Sequence, residues 1–299
     1  MAHALRRRTR QFILSYMLLL PALLLTLALM VYPMFMTVSL SLRPGTVMNF
    51  NLIDKLPLGW DNYLEVFTNP AAWKSLLLAL VYTGASTGAG FLIGLGTALL
   101  LNKRLWGRRI LRIMVLTPWA VPGVLASIAF LWIFDASYGV FNYLLRSSGL
   151  ISKNLAWFFD PNLAMTAVVI PTVWKGYPFF SLTLLAALQS IPVELYEAAR
   201  VDGAGRLGQF RYITWPGIRT AAVLALVLNG LWTFRVFDII YPTTQGGPLG
   251  ATETLAVLIY NEAFKFYHMG KAATLGMLTL FVCVLFVLAL YPFMKKKFF

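Results

Sequence analysis

The chain has 299 residues, 59% of them hydrophobic and only 12% charged, against about 25% charged in ordinary soluble domains. A soluble chain this apolar would precipitate, so the composition excludes a soluble globular protein and points to a polytopic membrane protein. The formal net charge of +14 does not mark a nucleic-acid binder, because the basic residues fall at the ends of apolar runs, as the positive-inside rule requires.

The first apolar run follows "LRRRTRQ" and covers about residues 12–32. It is too long for the hydrophobic region of a signal peptide and lacks a small-x-small cleavage site close behind it. It reads as an uncleaved span that Pro33 kinks or ends. Five more spans follow, at about 75–101, 110–134, 163–189, 220–241 and 272–293, with ends uncertain by ~2–4 residues. The second contains "GASTGAGFLIGLG", in which Gly84/Gly88 and Gly90/Gly94 have the small-xxx-small spacing of close helix packing. In the third, Pro118 and Pro122 are each expected to bend the helix. One all-α membrane domain is the economical reading, with no internal repeat or linker.

Six spans place both termini on one side. That side collects Arg6, Arg7, Arg8, Arg10, Lys103, Arg104, Arg108, Arg109, Arg112, Arg200, Arg206, Arg211, Arg219 and Lys295–Lys297. The other has only Arg43, Lys55, Lys74, Arg146, Lys153, Lys265 and Lys271. The richer side is expected to be the cytoplasm.

Between the fourth and fifth spans, residues 190–219 are too polar to cross a membrane. "PVELYEAARVD" starts on Pro192 with Glu194 early, as helix starts prefer. Gly203 and Gly205 break it. "RLGQFRYITWP" then repeats Leu207, Phe210 and Ile213 at three-residue spacing, and Pro216 is expected to close the second helix. Pattern alone leaves two readings: a solvated surface loop, or a two-faced helix-turn-helix that docks on another protein.

"EAARVDGAGRLGQFRYITWPGI" resembles the EAA motif of permease subunits of bacterial ABC importers. The elements that match are Glu197, Ala198, Ala199, Asp202, Gly203, Ala204, Phe210, Ile213 and Pro216. "GWDNYLEVF" at 59–67 and "FDIIYPTTQGGPLGATETLAVLIYNEAF" resemble the carbohydrate-importer permeases of the MalF/UgpA-like group, although Tyr241–Pro242 interrupts the second stretch. The resemblance implies a type I importer permease architecture and residence in the bacterial cytoplasmic membrane. Its implied partners are a second permease, two copies of an ABC ATPase and an extracytoplasmic solute-binding protein. It also implies that residues 190–219 form the coupling helix seated in a groove of the ATPase, with Gly203 supplying the turn. ATP and Mg²⁺ would then belong to the ATPase, and this chain would bind no cofactor and catalyse nothing itself. Consistent with that, the sequence has no G-x-x-x-x-G-K-[ST] phosphate loop. Its one cysteine, Cys283, forms no internal disulfide, and His3 and His268 lack metal-ligand spacing.

Polar residues within spans are expensive and are functional suspects. Lys175, Asn229, Arg235 and Asp238, flanked by Trp174, Tyr177, Trp232 and Phe237, could line a sugar path. Arg235 and Asp238, three apart on one helical face, could instead be an ion pair. Lys175 could snorkel or hold the partner permease, and Asn229 could be interhelical glue. Gly246, Gly247 and Pro248 form an outer loop, followed by an expected surface helix with Tyr260, Phe264 and Tyr267 at the membrane interface. The alternatives are a secondary transporter, a membrane enzyme or a non-transporting scaffold. The first would need carboxylates within spans and inverted repeats, and neither is evident. The second has no paired carboxylates or nucleophile–His pair to support it.

Overall fold

The computed structural model describes residues 16–46, 55–103 and 106–294. Among these residues every regular element is helical. Residues 12–15 of the predicted first span, and the basic residues of both termini, lie outside them. The described chain divides into two compact units. One comprises the described residues up to Asn69 with Asn261–Leu278, and the other Pro70–Tyr260 with the described residues from Thr279 onward.

In the first unit, helix α1 (Tyr16–Ser41) runs through Pro33 instead of ending there. A proline cannot donate to the carbonyl four residues back, and its ring crowds that carbonyl. Here that carbonyl is Leu29, inside a π turn at Leu27–Val31 where the Tyr32 N–H donates to Leu27 O. The wider turn takes up the proline and lets the helix continue. Helix α2 (Asp61–Thr68) comes from the "GWDNYLEVF" stretch. Its buried Asn62 donates through Nδ2 to Ser41 O (3.1 Å) and Arg43 O (2.8 Å). Glu65 pairs with Lys271.

In the second unit the most extensive packing joins α3 (Pro70–Asn102) to α7 (Ala164–Gln189). A β-carbon on Gly94 would stand 2.4 Å from Phe180 Cβ and 3.0 Å from Ser181 N and Tyr177 O. The bare glycine therefore sets how closely the two backbones approach. Phe180 is wholly buried there and meets Phe91 edge to face. Gly90 shares this contact, but Gly84 and Gly88 have nothing within 4 Å of a built β-carbon.

The third predicted span is two helices, α4 (Arg108–Ala120) and α5 (Gly123–Ile133), bent by 96°. Pro122 makes the break. It forces Val121 out of helical backbone, to φ −75 and ψ 127, while Pro118 stays within α4. Helix α6 (Val140–Ser147) and the loop after it pack Trp157 and Phe158 around Phe134.

The fifth predicted span ends early. Helix α9 comprises three successive stretches, Arg206–Gln209, a π turn Phe210–Thr214, and Trp215–Thr233. Phe234–Ile239 leaves the helix before the short α10 (Ile240–Thr244). The expected surface helix is instead α11 (Leu255–Tyr260), whose Leu255, Val257 and Leu258 are buried. The last helix is α12 (Met269–Met294). By length and apolarity, four described helices can cross a membrane, or five if the bent α4–α5 pair is one span. The sequence-based count of six also includes the 19-residue stretch Trp215–Thr233, which carries Arg219 and Asn229.

Candidate functional site

Residues 190–219 connect α7 to α9. Pro192 caps α8 (Val193–Val201), with Glu194 in its first turn. No residue of α8 is buried, and Val193 and Val201 are strongly exposed. The helix closes through a Schellman arrangement built from the Asp202-Gly203-Ala204 triplet. Gly203 N–H donates to Arg200 O (3.1 Å) and Ala204 N–H to Ala199 O (2.8 Å). Gly203 sits at φ +79, a backbone region in which a side chain is strained. Gly205, at φ −69 and ψ 175, caps the start of α9.

Pro216 does not close the second helix. It lies in the first turn of Trp215–Thr233, directly after the π turn at Phe210–Thr214, in which the Trp215 N–H donates to Phe210 O. The same device carries α1 past Pro33, and here it makes the segment continuous with the long helix.

The segment is anchored on one side only. Ile191 joins the core of Leu184, Leu188, Ile218 and Ala222, with Tyr196 and Ile213 packed against it. Tyr196 Oη and Thr214 Oγ1 are 3.0 Å apart. Gln209 Nε2 donates to Ala204 O (3.0 Å), bracing the turn. The free side presents Glu197, Ala198, Val201, Asp202 and Leu207, all exposed. Glu197 and Arg200 approach to 3.9 Å with both side chains 62% accessible, a pair worth little in water. Phe210 and Ile213 are half-buried, and Leu207 is 81% exposed. The three residues expected on one face are therefore split between the core and the open side. The sequence did not single out Tyr196, Gln209, Thr214 or Gly217, whose roles depend on contacts made only after folding.

The polar residues of the spans separate into distinct roles. Asn229 is buried; its Oδ1 accepts from Thr87 Oγ1 (3.3 Å) and Thr233 Oγ1 (3.2 Å). It ties α9 to α3, and its Nδ2 lies opposite Gly176 of α7. Lys175 is half-buried and has no hydrogen bond or ion pair among the described residues. Arg235 and Asp238 do not pair. The helix ends at Thr233, so three-residue spacing no longer places them on one face. Arg235 Nε donates to Leu231 O (3.1 Å), and the Asp238 carboxylate rests against Gly123 at the start of α5, where the helix dipole favours a negative charge. The aromatics do not form one cage either. Trp174 meets Phe130, Trp232 meets Phe179, and Phe237 stacks on Tyr241 and meets Tyr260 at a tilt. Tyr177 is half-buried beside Gly90 and Gly94.

The Gly246–Pro248 loop is tightly self-bonded. Gly246 has φ +91 and the Gly247–Pro248 bond is cis. Buried Thr252 donates to Gly247 O (2.8 Å) and lies 2.6 Å from Thr244 Oγ1. Lys74 Nζ donates to Leu249 O (3.2 Å), which leaves the Leu249 side chain 87% exposed at the tip.

Residues 90–298 match the profile of the family described as binding-protein-dependent transport system inner membrane component. The chain is 38% identical over 261 residues to the trehalose/maltose transport system permease protein MalF of Thermococcus litoralis, covering 87% of this chain and 85% of that protein. It is 36% identical over 279 residues to the sulfoquinovosyl glycerol transport system permease protein SmoG of Agrobacterium fabrum, covering 91% and 88%. Its fold matches a chain in the crystal structure of a bacterial ABC transporter that imports the acidic polysaccharide alginate, with a TM-score of 0.82 over 99% of both chains at 22% identity.

Proposed function

The chain belongs to the family of binding-protein-dependent transport system inner membrane components, and we propose that it is the permease subunit of an ATP-driven importer of a sugar or sugar-like solute. The observation that carries the coupling role is the 190–219 segment, a short helix with no buried residue that ends on Gly203 and runs on into α9. The names of the two curated relatives support a carbohydrate substrate. The charge asymmetry of the sequence supports cytoplasmic termini and a cytoplasmic segment.

In this reading Glu197, Ala198, Ala199, Asp202, Gly203 and Ala204 seat against one of two ABC ATPase subunits, which bind ATP and Mg²⁺. Phe210, Ile213 and Pro216 link that seat to α9. This chain and a second permease together enclose the path, to which an extracytoplasmic solute-binding protein delivers the sugar. Closure of the ATPases on ATP draws the coupling helices together and favours one of two rigid arrangements of the long helices. Trp174, Lys175, Tyr177, Trp232, Arg235 and Asp238 are candidates for the path, with Lys175 foremost because it has no hydrogen bond or ion pair among the described residues. Asn229 holds helices together within that path, and the Gly246–Pro248 loop lies at its outer end.

Reconstitution tests the reading. Proteoliposomes holding the chain, its second permease and its ATPase are expected to accumulate sugar only with ATP and the solute-binding protein present. Accumulation driven by an ion gradient without ATP would establish a secondary transporter, and no flux at all would leave a scaffold.

A further inference from the structure

Arg108 and Arg112 stand one turn apart on α4 and turn their guanidinium groups onto the side-chain amide of Gln189, at the end of α7. With its oxygen directed toward them, that amide accepts from Arg108 Nη2 at 2.6 Å and from Arg112 Nη2 at 2.8 Å. Two permanent cations thus share one neutral acceptor, and their Nη2 atoms are no farther apart than the sum of those distances. The Nε of each arginine is buried without a hydrogen-bond partner. Among the described residues neither Arg108 nor Arg112 makes an ion pair. The carboxyl end of α7 supplies a fraction of a negative charge, which does not balance two guanidinium groups. Lys103, Arg104 and Arg109 add to the excess in sequence.

We propose that Arg108 and Arg112 bind the phosphate of an anionic membrane lipid. Guanidinium forks match phosphate oxygens in geometry as well as charge, and basic pockets between spans suit anionic headgroups. The surroundings favour a lipid over a free anion. Ile110, Ile113 and Met114 on the same helix are each at least 60% exposed, and Trp106 is wholly exposed just before it. Ile110, Ile113 and Met114 lie on the face of α4 turned away from the two arginines and would set that helix against the bilayer, which places its arginine-bearing first turn, with Trp106 before it, at the headgroup level. The site does not depend on what the chain transports.

The chain, with the subunits that accompany it, is exchanged into nanodiscs of phosphatidylcholine with or without phosphatidylglycerol. Retained lipid is then counted by native mass spectrometry. The native chain and Arg109→Gln are expected to retain phosphatidylglycerol in preference to phosphatidylcholine. The Arg108→Gln/Arg112→Gln double variant is expected to lose about tenfold or more of that retention, the scale of a lost charge-assisted hydrogen bond. Equal retention by the native chain and the double variant overturns the site, and so does an equal loss in Arg109→Gln. Displacement of the lipid by inorganic phosphate as readily as by added phosphatidylglycerol overturns the assignment to a lipid. If the double variant does not assemble, the native chain decides, because no preference for phosphatidylglycerol also overturns the proposal.

Discussion

Ile191 packs directly on the bare α-carbon of Gly217: a β-carbon built there would stand 2.6 Å from Ile191 Cδ1 and 2.9 Å from its Cγ1. The contact joins the start of the 190–219 segment to the first turn of Trp215–Thr233, so the two ends of the segment are locked together at its root. Gly217→Val is expected to overpack this seam and lower stability by about 1–3 kcal/mol. Adding Ile191→Ala should recover part of the loss, and thermal unfolding of the purified chain measures both.

The glycines of α3 make opposite predictions at two positions. Gly94→Ala must push a methyl group into Phe180 and into the backbone of α7, which cannot move aside like the end of a long side chain. It is expected to cost about 1–3 kcal/mol. Gly84→Ala meets open space and is expected to be neutral or slightly stabilising in the isolated chain, because alanine is the better helix former by up to about 1 kcal/mol. Unfolding of the two variants in the same detergent separates them.

Asn229 and Lys175 should separate in the same way. Asn229→Ala breaks two hydrogen bonds between and within buried helices and is expected to cost about 0.6–2 kcal/mol, with the apparent affinity for sugar little changed. Lys175→Ala breaks no hydrogen bond or ion pair among the described residues. It is expected to leave stability within about 0.5 kcal/mol and to weaken uptake affinity instead. Thermal unfolding paired with uptake at graded sugar concentrations reads both effects.

The turn of the 190–219 segment could be read from the sequence because its chemistry is local. A left-handed residue closing a helix calls for glycine, and Asp202-Gly203-Ala204 supplies it. The bend at Pro122 was visible for the same reason. The continuation past Pro33 and Pro216 was not, because a proline advertises a break while the π turn that absorbs it has no residue signature. Arg235 and Asp238 share one face only if the helix reaches Tyr241. Once it stops at Thr233, the spacing argument has no helix to act on. Four of the five glycines of α3 carry the same small-xxx-small motif, yet only Gly90 and Gly94 meet α7. Which half of such a stripe is used depends on where the partner helix crosses, and that is decided by non-local packing around Phe180.

The central claim is that residues 190–219 are the seat of an ATPase subunit. Its most direct test is co-purification of the tagged chain from mild detergent, native or carrying Glu197→Lys with Gly203→Pro. Proline at 203 cannot adopt the φ of +79 found there and loses the N–H bonded to Arg200 O, while the long helices and their packing are untouched. The account predicts that the native chain brings down a second permease and an ABC ATPase, and that the variant keeps the permease but loses the ATPase. A variant that retains the ATPase as fully as the native chain would contradict it.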